Sequence, residues 1–431
     1  MSGNSNATRP ARPPSAVSSG VGFAGLAGMF AWLAVALHFG MDGPYAALCN
    51  VVACAIPMIL WSLVVDKVHR NPSTGIDWDS QPRTLRSMFD TSVTKLAGLW
   101  ATWALIAFIY CVARFYWQGS YQFSMQILGA AAIPLVLISV PYIFWLDRRL
   151  INPRDGAWAL GAMLIGRKDY DDQAIYAHFR SWAVKAFFLA FMISIVPAGF
   201  RDVINGNFQA IQTDPIVLAQ WLIVLMFVVD VGFATAGYIL TLRPLDAHIR
   251  SATPYAAGWV AALICYPPFL LMDLGGPLSY RIGGAEWGYW LAGHPALTTA
   301  MGILLVFLTA IYAWATVAFG IRFSNLTDRG ILTHGPYAFT KHPAYLSKNL
   351  FWWFTFLPFL VTTGSITDLI RNTTLLGCVS GIYYWRAKTE ERHLSADPAY
   401  AAYAEWMAQY GLITRLFTSR HVPARPDQQI T

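Results

Sequence analysis

Runs of about 20 apolar residues recur along the chain, and they constrain its fold more than any other feature. A helix of that length crosses the hydrocarbon core of a bilayer, because it rises about 1.5 Å per residue. The 431 residues are 56% hydrophobic and only 12% charged, which is about half the charge of an ordinary soluble domain. The sequence therefore predicts an all-α fold, that of a polytopic helical membrane protein.

The lysines and arginines predict how these helices are oriented. We expect about ten spans with both termini in the cytoplasm, because 26 of the 30 basic residues then lie on the cytoplasmic side. The net charge of +7 follows from this asymmetry and does not indicate a nucleic-acid partner. The predicted spans are residues 20–38, 45–65, 97–117, 123–146, 182–199, 216–240, 256–272, 297–320, 349–364 and 372–385.

The character of the chain changes along its length, and this change suggests three parts. Residues 1–19 are rich in Ser and Pro and predict a disordered cytoplasmic tail. Residues 20–255 predict a membrane bundle of about six spans. Residues 256–431 contain the polar motifs, within a C-terminal membrane domain that has a cytoplasmic loop and a C-terminal helix.

Two further features bear on possible sites. The five cysteines include no C-x-x-C pair, so they predict neither a disulfide framework nor a metal site. Asp230 is the one carboxylate deep inside a predicted span, and an acid at that depth is a functional candidate because it is costly to bury. It could face a cavity, pair with a basic group, or be neutral and hydrogen-bonded.

A short polar stretch, residues 322–349, concentrates charge between two apolar runs. Prolines fix the backbone in its GPY and HPAY segments, which predicts a shaped loop rather than a helix. A helical hairpin is expected to follow. Beyond the hairpin, Arg386, Glu390 and Leu394 are spaced four apart and share one helix face. On an exposed helix such an Arg–Glu pair is worth only about 0.2–0.5 kcal/mol, but here it lies where the last span leaves the bilayer.

These motifs resemble those of the isoprenylcysteine carboxyl methyltransferase and phospholipid methyltransferase family of membrane enzymes. The resemblance rests on ILTHGPY at residues 331–337, KHPAY at 341–345, the hairpin, R-x-x-x-E-E-x-x-L from Arg386, and a Y-x-x-Y that begins at Tyr400. It covers about a quarter of the chain. Two positions depart from the family pattern, since Lys341 replaces the usual Arg and Ser347 replaces the usual Gly.

The resemblance implies that S-adenosylmethionine is the cofactor and that the acceptor is a membrane lipid or a lipid-linked molecule. The residues expected to contact the cofactor by this resemblance are Gly335, Pro336, Tyr337, His342, Pro343, Tyr345, Arg386 and Glu390. A carboxylate acceptor needs desolvation and orientation, and Arg322 at the end of the eighth predicted span is the candidate to orient it. An amine or hydroxyl acceptor needs a base, for which Glu391 and His334 are candidates.

Two other functions remain open on the sequence alone. Sterol-reductase-like membrane proteins have a related C-terminal hairpin and use NADPH. A transporter or non-catalytic scaffold is suggested by the large N-terminal bundle, with Asp230 as a pathway residue. We expect an integral membrane location, and the N-terminal tail suggests a prokaryotic inner membrane.

Overall fold

A computed structural model of the chain describes residues 10–413, and this part is almost entirely helical. Its α-helices are α1 Ser19–Phe39, α2 Pro44–Leu60, α3 Leu85–Ala113, α4 Gln122–Asp147, α5 Gly156–Leu164, α6 Asp172–Ile204, α7 Phe208–Thr213, α8 Pro215–Ile239, α9 Ala256–Leu263, α10 Trp287–Trp290, α11 Pro295–Phe319, α12 Pro343–Phe356, α13 Ile366–Leu394 and α14 Pro398–Tyr410. Two short strands, β1 Ser251–Ala252 and β2 Thr327–Asp328, pair antiparallel.

Seven helices within residues 10–413 are long and apolar enough to cross a membrane. They are α1, α2, α3, α4, α6, α8 and α11, which correspond to the first six predicted spans and the eighth. The predicted all-α polytopic membrane fold is confirmed. The last two predicted spans form a hairpin of 14 and 29 residues, α12 and α13, and α13 has charged residues at both ends.

The seventh predicted span, residues 256–272, was wrong. Helix α9 ends at Leu263, and α10 begins only at Trp287. Pro267 and Pro268 lie between them. Two consecutive prolines lack backbone N–H groups and clash with the preceding turn, so they prevent a helix from continuing. The apolar composition of this region was therefore not sufficient evidence for a helix.

Several helices extend well beyond their apolar runs. The predicted span at 97–117 belongs to α3, which begins at Leu85, and the one at 182–199 belongs to α6, which begins at Asp172. Side-chain caps explain these early starts, because the Thr84 hydroxyl accepts a hydrogen bond from the Ser87 N–H and caps α3 in this way. Hydropathy locates the membrane crossing, whereas caps locate the ends of the helix.

One hydrophobic core joins α1, α2, α6, α8 and α11, and it includes Met29, Phe233 and Val317. Small residues allow this close packing, since a Cβ added at Gly22 would lie 2.8 Å from the carbonyl oxygen of Val317. The core therefore runs across the predicted boundary between residues 255 and 256. The division into two membrane domains stays a prediction.

The prediction of a disordered tail at residues 1–19 is wrong for the part of it that the structure describes. Residues 10–18 pack against the loop that precedes α12, while residues 1–9 lie outside the described part. The Ala16 N–H donates to the Ile331 carbonyl at 2.8 Å, and the Ser15 hydroxyl lies 2.8 Å from His334 Nδ1. Composition suggested disorder because it could not show that a partner loop satisfies this backbone.

Candidate functional site

A cavity opens where α11, the loop at residues 322–342, α12, α13 and α14 meet. Its volume is about 1320 Å³ when its open mouth is included. The three polar pieces singled out in the sequence, namely the loop, the hairpin and the stretch from residue 383 to 406, all contribute to its wall. Of the predicted site residues, those that line it are Arg322, Tyr337, His342, Tyr345, Arg386 and Glu390.

The loop at 322–342 is fixed by contacts with residues 237–252, which precede α9. Strand β2 pairs with β1, with Asp328 opposite Ser251. The buried Arg329 side chain donates to backbone carbonyls on both sides, among them those of Ala247 and Phe323, each at 2.7 Å. Hydrogen bonds from a charged donor are about twice as strong as neutral ones, so they hold an irregular loop rigidly.

The HPAY segment differs from its predicted form. Residues 322–349 were expected to be loop, but α12 begins at Pro343. Proline is favoured at the first position of a helix, because the N–H that it lacks would have no helical partner there. Tyr345 and Lys348 therefore lie on the first two turns of a helix, three residues apart and on one face.

A cluster of Tyr345, Glu390 and Arg386 lies at the centre of the cavity wall. The Tyr345 hydroxyl donates to Glu390 Oε1, and Arg386 Nε lies 3.8 Å from the same oxygen. Arg386 is only 2% exposed, and its Nη2 donates to Asn325 Oδ1 at 2.7 Å. The pair is not a solvated surface ion pair, because the guanidinium is buried and covered by the rings of Tyr345 and Tyr383.

His342 lies beside this cluster and is oriented by Glu391. The His342 ring stacks on Tyr345 with centroids 5.8 Å apart, and its Nε2 lies 3.0 Å from Glu391 Oε1. Lys341 and Lys388 also contact the Glu391 carboxylate, at 2.7 and 3.0 Å. Lys341, which stands where the resembling family usually has Arg, keeps the positive charge and uses it to hold Glu391.

Glu391 was predicted as a base, but its surroundings argue against that role. Burial raises its pKa, but hydrogen bonds from His342, Lys341 and Lys388 outweigh burial and hold the pKa of Glu391 well below its usual range. A carboxylate that is ionised and paired with three basic groups is a weak proton acceptor at neutral pH. The geometry favours a positioning role for Glu391, which holds His342 and Lys341 against the cavity.

The GPY segment shapes the wall through its backbone. Gly335 has φ = +59°, and a Cβ there would lie 3.3 Å from Trp314 Nε1, so glycine suits both the turn and the contact. Pro336 is buried in the short 3-10 helix that follows, and the Tyr337 carbonyl accepts a hydrogen bond from the Tyr403 hydroxyl at 2.7 Å. Tyr337 lines the cavity. Gly335, Pro336 and Pro343 are not among the residues that line it, and they fix the backbone conformation next to those that do.

Arg322 is engaged elsewhere. It is 2% exposed, its Nη2 is 2.8 Å from Asp246 Oδ2, and its Nη1 donates to the Arg329 carbonyl at 2.9 Å. Both ends of the guanidinium fork are therefore occupied by the protein. This geometry favours a structural role for Arg322 over the predicted role of orienting an anionic acceptor.

Sequence reasoning gave no role to two polar residues of the cavity wall, Lys348 and Tyr312. Asp230, which was singled out, lies behind this wall and accepts a hydrogen bond from Thr316 on α11. No sequence signal pointed to this contact, because 86 residues separate Asp230 from Thr316. Among residues 10–413, no group of three or more His, Cys, Asp or Glu side chains could hold a metal ion.

Residues 286–407 match one protein family, which is described as a protein of unknown function (DUF1295). The match includes α11 to most of α14, and so most of the cavity wall, but less than half of the chain. No curated protein and no solved structure matches the chain. These residues therefore form a DUF1295 domain within an integral membrane protein.

Proposed function

We propose that this protein is an integral-membrane methyltransferase that uses S-adenosylmethionine and acts on a lipid or lipid-linked acceptor. The observation that carries the proposal is the Tyr345–Glu390–Arg386 cluster with His342 stacked beside it. These are the positions that match the motifs of the resembling family, and the fold brings them together around one cavity.

Unpaired polar atoms in the cavity wall fit a polar cofactor. Within the described residues, the Tyr400 hydroxyl and Arg386 Nε are buried and have no hydrogen-bond partner. A buried polar group without a partner costs about 1–3 kcal/mol, which a bound molecule would recover. Glu390 is half-buried at the cavity wall. Its carboxylate suits the α-amino group or the ribose hydroxyls of the cofactor, as an acceptor of their hydrogen bonds.

S-Adenosylmethionine supplies an electrophilic methyl group when it is bound. The protein's task is to position the cofactor and the acceptor and to exclude water from them. The rings of Tyr337, Tyr345 and Tyr383 provide apolar surface that excludes water. His342 is held in one orientation by Glu391, so it presents its remaining ring nitrogen in a fixed direction. The predicted contacts of Pro336 and Pro343 act through the backbone only.

The test is a calorimetric titration of detergent-purified protein with S-adenosylhomocysteine, beside Glu390→Gln. This variant keeps the side-chain shape and removes the charge, so we expect binding to weaken by roughly tenfold or more, as for a lost charge-assisted hydrogen bond. Glu405→Gln is the matched control, because Glu405 is exposed on α14. We expect the control to bind like the wild type.

Three other results are informative. Equal binding by Glu390→Gln and the wild type would remove Glu390 from the cofactor site. A heat of binding for NADPH, with none for S-adenosylhomocysteine, would instead favour a reductase. No heat with either ligand, from protein that unfolds cooperatively, would contradict both enzyme assignments and favour a scaffold or transporter.

A further inference from the structure

The cavity wall contains a lysine and a tyrosine that the cofactor cluster does not use, and an aspartate lies behind them. Asp230 is buried on α8, where its carboxylate accepts a hydrogen bond from the Thr316 hydroxyl. Tyr312, Thr316 and Lys348 line the cavity. The three side chains from α11 and α12 thus connect an intramembrane acid to the cavity.

Lys348 is a cation without an ionic partner in contact. Its Nζ lies 5.2 Å from the ring centroids of Tyr312 and Trp352 and 5.7 Å from that of Tyr383. These rings form a cage that stabilises an ammonium by cation–π attraction. Within residues 10–413, Lys348 makes no hydrogen bond and no ion pair within 4.0 Å. Its three N–H donors are therefore available to a ligand in the cavity.

Asp230 is not an ion-pair partner of Lys348. Within the described residues, its carboxylate accepts a direct hydrogen bond from the Thr316 hydroxyl and forms no ion pair with Lys348 within 4.0 Å. The Tyr312 ring centroid lies 5.2 Å from Lys348 Nζ, and both side chains line the cavity. The amine of Lys348 is therefore available to a ligand in the cavity.

We propose that Lys348 binds the anionic group, a carboxylate or a phosphate, of the lipid acceptor. This proposal rests on the proposed function and replaces the orienting role predicted for Arg322. Lys348 lies one helical turn from Tyr345 on the same face of α12, so an anion bound there lies next to the cofactor cluster. The aromatic cage and Phe319 of α11, which also lines the cavity, suit the start of a hydrocarbon tail.

The chemistry of a carboxylate or phosphate acceptor agrees with this site. As the new O–CH₃ bond forms, the sulfonium C–S bond breaks and its electron pair passes to sulfur. A positive sulfonium and an anionic oxygen become a neutral thioether and an ester in which that oxygen has lost its charge. No proton moves, so the site requires a cation that orients the oxygen and no base.

The test measures thermal stabilisation of the full chain in dodecyl maltoside by four C16 probes: palmitate, hexadecyl phosphate, hexadecanol and hexadecylamine. We expect one of the two anions to stabilise the wild type, and the stronger one identifies the acceptor's group. The apparent affinity for that anion should fall roughly tenfold or more in Lys348→Met and be largely retained in Lys348→Arg. Lys168→Met is the matched control, because Lys168 is exposed.

The variant Asp230→Asn distinguishes the contribution of Asp230 from that of Lys348. We expect this variant to bind the anion as well as the wild type, because the Asp230 carboxylate bonds Thr316 and does not pair directly with Lys348. An undiminished anion response in Lys348→Met would overturn the proposal. So would equal stabilisation by hexadecanol, or stabilisation by hexadecylamine that Asp230→Asn abolishes. S-Adenosylhomocysteine is titrated into the same samples, so loss of cofactor binding is distinguished from loss of anion binding.

Discussion

Replacing Arg322 by Met tests whether this arginine is structural, as its contacts indicate, or substrate-binding, as its position in the sequence suggested. The substitution removes the 2.8 Å ion-pair partner of the buried Asp246 carboxylate and leaves only the more distant Arg250, at 3.7 Å. Breaking a buried pair from one side costs about 3–5 kcal/mol. Asn71 and Ser73 still donate to Asp246, at 2.9 and 2.8 Å, so we expect the lower end, about 3 kcal/mol.

The expected shift in melting temperature follows from the size of the chain. Unfolding entropy is about 2.1 cal/mol/K per residue, which gives roughly 0.9 kcal/mol/K for 431 residues. A loss of about 3 kcal/mol then lowers Tm by about 3 °C. Intrinsic tryptophan fluorescence during a thermal ramp in dodecyl maltoside measures this shift in Tm. Arg86→Met is the control, because Arg86 is exposed.

A double-mutant cycle with Asp246→Asn assigns this loss to the pair. We expect a coupling free energy of about 2 kcal/mol, so that the double variant is less destabilised than the sum of the single variants. Folded Arg322→Met should still bind S-adenosylhomocysteine and the anionic probe. If it keeps wild-type stability and loses the anion response, the structural assignment of Arg322 is refuted and the original prediction is restored.

Two further predictions concern the parts of the structure that sequence did not anticipate. Deleting residues 2–17 removes the hydrogen bonds to Ile331 and His334. We expect faster proteolysis of the loop at 322–342 and weaker S-adenosylhomocysteine binding than after deletion of residues 2–9. Burial, and to a smaller extent Arg243, lowers the pKa of His248 to about 3 from about 6.5. The unfolded chain therefore binds a proton that the fold excludes, so the free energy of unfolding falls by up to about 1.4 kcal/mol per pH unit as pH drops below 6.5. Melting temperatures from pH 7.5 to 5.5 should fall less in His248→Gln; equal slopes would contradict this assignment.

The coarse fold could be predicted because the bilayer imposes a simple requirement. Every backbone group in the hydrocarbon must be paired within the segment, so long apolar runs become helices. The rule failed at residues 264–272, the second part of the seventh predicted span, which follow the short helix α9 and contain Pro267 and Pro268. Apolar composition alone does not make a segment helical, because the backbone donors must also be present.

The composition of the cavity wall could be predicted only in part, for a similar reason. Glu390 and Arg386 share a helix face by spacing alone, and Tyr345 follows from the motif. The partner of Arg322 lies 76 residues away in the chain, and no periodicity connects it to Asp246. Lys348 belongs to the polar stretch 322–349 but received no role from the sequence, because its three aromatic neighbours are brought to it only by the fold.

The contacts of the cavity also bear on the role of the residues before position 255. Asp246 holds Arg322, strand β1 holds β2, and Asp230 holds Thr316, so three separate points of the loop and of α11 depend on this part of the chain. If the resembling C-terminal part were a self-sufficient domain, these polar anchors would be exposed or unpaired without the bundle. We infer that residues before position 255 are part of the cavity's structure.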